Sequence, residues 1–127
     1  MSKQYRIFVQ RSLKFFLVLF ISFDGFSADE IRINDLLNNI EVVSNSNERR
    51  KGLMFRKSLP ENDGMFFIWD YQKRQCMWMK NTYIPLNVAY IDSKGKILEI
   101  YEMLPMSEES ICSKKRVKYA LEVNLDW

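Results

Sequence analysis

The chain has 127 residues, 47% hydrophobic and 14% aromatic, with 19 Lys and Arg against 16 Asp and Glu and no histidine. A chain of this size with few Gly and Pro folds around a core rather than staying disordered. The missing histidine excludes Ser-His and Cys-His nucleophile pairs, imidazole metal ligands and imidazole proton shuttles, and with them most common hydrolase chemistry.

Lys3, Arg6, Arg11 and Lys14 precede the apolar run Phe15 to Phe23, which Asp24 and Gly25 end. A charged start followed by an apolar stretch too short to span a bilayer predicts a signal peptide over residues 1–27. Small residues place cleavage after Ser27, with Ala28 as the alternative; the competing reading is an uncleaved amino-terminal anchor. The expected product is exported, periplasmic or secreted, and touches a membrane only through the leader if that is retained. Residues 1–27 hold four basic residues and one acid, Asp24, so residues 28–127 carry 15 of each sign and no formal net charge. The basicity belongs to the leader, no nucleic-acid partner is expected, and Lys114-Lys115-Arg116 reads as a solvated loop.

Residues 28–127 are expected to form a single β domain. IRIND and NIEVVSN look like short strands around an Asn38-Asn39 turn. Ser46 or Asn47 can cap the only expected helix, with Glu48 in its first turn and Leu53 and Met54 on its apolar edge. Gly52 is a poor helix residue and marks either the end of a short helix or a close approach. Pro60 to Gly64 is a turn. GMFFIWD, CMWMKNT, NVAYID, KILEIYEM and VKYALEVN read as strands, YQKRQ as an exposed connector and LPMSEESICSKKR as a loop. Ser93-Lys94-Gly95 suits a hairpin loop with Gly95 left-handed. In the last strand Val117, Tyr119, Leu121 and Val123 share one face. The sum is a mainly β fold, a single antiparallel sandwich or barrel with one short helix.

The stretches RRKGLMFRKSLPENDGMFFIW, CMWMKNTYIPLNVAYID and YALEVN resemble a bacterial and archaeal family of uncharacterised proteins, domain of unknown function 192. Arg49, Gly52, Leu53, Met54 and Arg56 stand in its first motif, Gly64, Met65 and Phe67 in its second. Trp78, Met79, Lys80, Asn81 and Thr82 stand in its third, and Leu121, Glu122 and Val123 in its last. The resemblance implies a jelly-roll-like β domain and no particular reaction. Asn87 replaces the family's usual aspartate, and the chain stops at Trp127 where relatives continue into a further strand, so an exposed sheet edge is expected.

Arg56, Lys80, Asn81, Thr82, Asn87 and Glu122 form the candidate polar set. If they gather at one mouth of the fold, Arg56 and Lys80 bind an anionic or hydroxylated ligand, with Asn81 and Glu122 orienting it. If Lys80 instead neutralises Glu122, the set is structural. Two other readings compete. Met77, Met79, Met103 and Met106 with Cys76 could hold Cu(I), although core packing explains methionines equally well. An enzyme would have to use Lys80 as nucleophile and Glu122 as base. Cys76 and Cys112 in an oxidising space form either a disulfide, worth about 3–4 kcal/mol by loop closure, or two packed thiols. The sequence thus predicts a small envelope binding or accessory module, with a small molecule or an envelope protein as partner, no cofactor, no metal and no assigned catalytic residue.

Overall fold

Turn signals every ten or so residues cut the chain into short strands. The structure, a computed structural model, describes residues 4–9, 17–22 and 29–127. Gln4–Val9 (β1), Leu17–Ser22 (β2) and Asp29–Arg32 (β3) form a sheet of their own in that order. The expected cleavage position after Ser27 lies outside the described residues. Among the described residues no helix is long and apolar enough to cross a membrane.

Ile33–Leu36 (α1) is a single turn, followed by Asn39–Val43 (β4) and Ser46–Lys51 (α2). Two short helices therefore stand where one was expected, because IRIND leaves the extended conformation at Ile33. The N-cap of α2 is Asn45, one residue before the expected Ser46: its side chain accepts the Glu48 N–H at 2.9 Å. Gly52 ends the helix with φ of 47°, a conformation glycine tolerates, and lies against the Phe67 ring.

Asp63–Lys73 (β5), Cys76–Met77 (β6), Leu86–Ile91 (β7), Ile97–Met103 (β8), Ile111–Cys112 (β9) and Val117–Asn124 (β10) complete the chain. The main sheet has the order β4-β5-β10-β7-β8. It is mixed rather than antiparallel, since β4 and β5 run parallel in the register Ile40 to Gly64. The crossover 44–62, with α2 inside it, supplies the connection that parallel neighbours require. No closed barrel forms among the described residues, and β6 pairs β9 in a separate two-stranded ribbon. The edges are β4 and β8; the last strand, β10, lies inside the sheet.

Both faces of the sheet are covered, which explains the unbroken apolar run in β5. Met65 and Phe67 enter the larger core with Leu53, Met79, Val88 and Tyr90. Phe66 enters the smaller one with Ile33, Leu37, Leu121 and Val123. Val117 does not share a face with Tyr119 as its spacing suggested. A register shift between them turns Val117 into the larger core. The loop at Asp92 follows expectation: its carboxylate accepts the Lys94 and Lys96 N–H groups at 2.9 Å, and Gly95 has φ of 81°.

CMWMKNT is not one strand. Pairing stops at Met77, the Met79 N–H donates to the Ser107 carbonyl at 2.9 Å, and Asn81 turns the chain with φ of 53°. Cys76 and Cys112 face each other across the ribbon and are joined by a disulfide. Beside it Ser113 donates its N–H to the Gln75 carbonyl and accepts the Gln75 N–H on its hydroxyl.

Two stability predictions follow from these contacts. The disulfide closes a loop of sequence separation 36, so replacing both cysteines by serine should lower the unfolding free energy by about 4 kcal/mol. Urea denaturation reads this directly, and an unchanged midpoint would show the ribbon to be held by other contacts. At Gly64 an added Cβ would lie 2.9 Å from the Glu122 carbonyl oxygen and 3.2 Å from Leu37 and Val123. Gly64→Ala should therefore destabilise by about 1–3 kcal/mol through overpacking.

Candidate functional site

Glu122 follows Leu121 on β10, so the alternation that sends Leu121 to the smaller core aims Glu122 at the larger one. It pairs with Met65 on one side and Val88 on the other, in the middle of the sheet. Only 4% of the residue is exposed. Among the described residues no hydrogen bond or ion pair reaches its carboxyl group. Burial alone pushes the carboxyl up to about 8. At neutral pH it is chiefly a neutral acid, which can donate as well as accept.

A cavity of about 170 Å³ opens above it. Trp69, Trp78 and Met77 form its apolar walls, Thr82 and Glu122 contribute polar groups, and Arg49, Arg50 and Lys51 of α2 line it with positive charge. Arg49 is fixed in place: it donates to the carbonyls of Ser44 and Ile68, the latter at 2.9 Å, and lies 5.8 Å from the Trp69 ring centre. Trp69 in turn stacks on Phe67 at 6.1 Å. The Cys76 side of the disulfide forms part of the wall. The ribbon that carries it is pinned from below by the fully buried Tyr90, whose hydroxyl donates to the Ile111 carbonyl. Burial raises the Tyr90 hydroxyl far above its ordinary value; the Met77 backbone opposes that shift and nearby Glu122 adds to it.

The expected polar set is dispersed. Thr82 and Glu122 share the pocket, and Thr82 is buried with its hydroxyl donating to the Lys80 carbonyl at 3.1 Å. Arg56 makes a bidentate pair with Glu41 of β4, the second contact at 2.7 Å. That hydrogen bonding holds the Glu41 carboxyl below its ordinary value. Lys80 neither meets Arg56 nor neutralises Glu122. Its ammonium lies 3.5 Å from Glu108 and 5.3 Å from the Trp78 ring centre, at the surface. Asn81 lines a separate open groove with Lys80, and Asn87 lines an apolar pocket against the smaller core. The nucleophile-and-base pair of Lys80 and Glu122 is thus not assembled. The soft-ligand set is not gathered either: Cys76 is oxidised, Met77, Met79 and Met103 are buried in the core, and Met106 is exposed. The residues missing from the expected set are Arg49, Trp69 and Trp78. Their signal in the sequence was an arginine and two tryptophans in motif stretches otherwise explained by packing.

A family profile, DUF192 (Uncharacterized ACR), matches residues 30–127. The chain belongs to that family. Two solved structures share the fold of this DUF192 chain. A Sinorhizobium meliloti protein described as a candidate transcription regulator is 28% identical, with a TM-score of 0.66 over 96% of this chain and 79% of that one. A Novosphingobium aromaticivorans protein of unknown function is 23% identical, with a TM-score of 0.68 over 94% of this chain and 81% of that one. No curated protein matches the chain.

The Glu122 carboxyl gives this DUF192 domain a pH dependence of defined sign. Its folded value of about 8 exceeds the ordinary 4.5 of the unfolded chain. Between these values the folded state holds a proton that the unfolded state has lost, so stability falls as pH rises across the window. The slope is at most about 1.4 kcal/mol per pH unit. Glu122→Gln should flatten this part of the curve. Equal slopes for both proteins between pH 5 and 8 in urea titrations would show that Glu122 is not buried as described.

Proposed function

We propose that this DUF192 protein is an exported binding module whose pocket over Glu122 takes a small molecule with a hydrogen-bond acceptor and an anionic end. The observation that carries the reading is a nine-tenths buried, unpartnered carboxyl aimed into an open cavity. Such a group is costly to bury and serves folding poorly, which is the usual mark of a functional site. Cavities of about 150 Å³ hold one benzene-sized molecule, which sets the scale of the ligand for this one. The protonated Glu122 donates to the acceptor, Trp69 and Trp78 flank it, and Arg50 and Lys51 at the rim favour negative charge. Small carboxylates with a second oxygen at the far end, 4-hydroxybenzoate among them, have these features.

Export is supported by the charged and apolar order of residues 3–23, by a family match that begins at residue 30, and by the disulfide. The equal numbers of acids and bases after residue 27 favour a small ligand over nucleic acid, even though one structural neighbour is described as a candidate transcription regulator.

Titration of isotope-labelled protein with 4-hydroxybenzoate tests the proposal by NMR. Shifts should concentrate on the Trp69 and Trp78 indoles, Thr82 and Glu122. Binding should weaken above pH 8 as Glu122 ionises, and Glu122→Ala should weaken it about tenfold or more at pH 6. If a panel of small carboxylates and amides leaves these four residues unshifted, the pocket is not a binding site for this class.

A further inference from the structure

Ten large apolar side chains are exposed among the described residues, and five of them, Phe55, Trp78, Tyr83, Leu104 and Met106, belong to three loops that touch. Main-chain hydrogen bonds lace these loops together. The Phe55 N–H donates to the Asn81 carbonyl at 2.8 Å, the Met106 N–H to the Thr82 carbonyl at 2.9 Å, and the Met79 N–H to the Ser107 carbonyl at 2.9 Å. The apolar side chains are therefore presented by one bound cluster rather than scattered over the surface.

The backbone there is unusual as well. Phe55, Asn81 and Met106 have φ of 66°, 53° and 63°, three of the four left-handed residues that are not glycine among the described residues. Bulky side chains rarely adopt this region. Phe55 is nevertheless 61% and Met106 50% exposed, so the strained backbone does not serve to bury them. The conformation turns apolar side chains outward, and strain of this kind collects at functional surfaces.

Between Phe55 and Trp78 runs an open groove of about 600 Å³ whose charged lining residues are Arg50, Lys51 and Lys80. The loop that carries Met106 also carries two exposed acids, Glu108, which pairs with Lys80 at 3.5 Å, and Glu109. We propose that this loop cluster docks the protein on an anionic phospholipid bilayer. Phe55, Trp78 and Met106 enter the interfacial zone, and the groove takes a headgroup phosphate against Arg50, Lys51 and Lys80. Aromatic and apolar side chains beside Lys and Arg are the pattern that binds such interfaces. Side chains carried outward on three loop tips fit a lipid interface better than an acidic protein partner, which would leave most of them in water. The site adjoins the Glu122 pocket, with which it shares Arg50, Lys51 and Trp78, and it does not depend on the pocket's ligand.

The test uses the full chain carrying Trp69→Phe and Trp127→Phe, so that Trp78 alone reports, with vesicles of brominated phosphatidylcholine, alone or mixed with phosphatidylglycerol. Because residues 1–27 contain an apolar run of their own, the readout is quenching of Trp78 rather than sedimentation. Trp78 should be quenched by the anionic vesicles, more weakly at high salt, and not by phosphatidylcholine alone. Phe55→Asn combined with Met106→Asn should reduce this partitioning about tenfold or more. Asparagine accepts left-handed backbone, so these variants should fold at least as well as the parent. Lys51→Gln with Lys80→Gln should reduce the preference for anionic lipid. An unquenched Trp78, or quenching unchanged in the Asn variants, overturns the proposal. So does a Trp78 response to polyglutamate without one to lipid, which would assign the surface to an acidic protein partner.

Discussion

A carboxyl on the innermost strand of a sheet covered on both faces is the constraint around which this structure is arranged. β10 has neighbours on each side, and Glu122 lies between Met65 and Val88. No cation pairs with it among the described residues. The free energy of that burial is lowered by keeping the proton. A leucine at this position would be buried without the desolvation cost of a carboxyl. That the chain carries a carboxyl instead is the strongest argument that the cavity has a use.

The walls follow from the same arrangement. The ribbon of β6 and β9 is too short to hold its place by ladder hydrogen bonds alone. It is tied by the disulfide, by the Ser113 and Gln75 exchange, and from beneath by the Tyr90 hydroxyl. Tyr90 packs edge-on against Tyr101 at 6.1 Å, and the Tyr101 hydroxyl donates to Glu99 at 2.6 Å. Glu99 also accepts the Lys114 and Lys115 N–H groups, at 2.8 and 3.0 Å. Burial raises its carboxyl, but these hydrogen bonds prevail and hold it below its ordinary value. One chain of ring and hydrogen-bond contacts thus runs from the core to the loop that carries Cys112.

The sequence disclosed the parts of the fold that local chemistry decides. Gly95 could be assigned its hairpin because a three-residue loop requires a left-handed residue, and the apolar run in β5 could be read as a strand because it is bounded by turn signals and too short for a core helix. Where a tertiary contact decides, reading failed. CMWMKNT has a strand-like alternation because Met77 and Met79 are both buried, yet the chain turns there to meet Ser107, which lies far along the sequence. The parallel pairing of β4 depends on how 44–62 crosses the sheet, and no residue type encodes that. Arg56, Lys80 and Glu122 looked like one constellation because charges at strand ends often meet. Each cation instead found a nearer acid, Glu41 for Arg56 and Glu108 for Lys80, and the carboxyl with the largest shift was left with none.

Trp78 shows why the two ends of CMWMKNT have to be considered together. Cys76 and Met77 belong to the ribbon, Met79 to the core, and Asn81 to a left-handed turn, so Trp78 is held at the boundary between three fixed neighbours. One side of its ring walls the cavity over Glu122, and its surroundings continue into the groove beside Phe55 and Lys80. The backbone hydrogen bonds of Met79 and Thr82 fix the stretch of chain from which this ring projects between the two spaces. Lys80, Asn81 and Thr82, which follow the apolar stretch Cys76 to Met79, therefore do not continue a strand. They form the turn that holds a tryptophan between a buried acid and an exposed cationic surface.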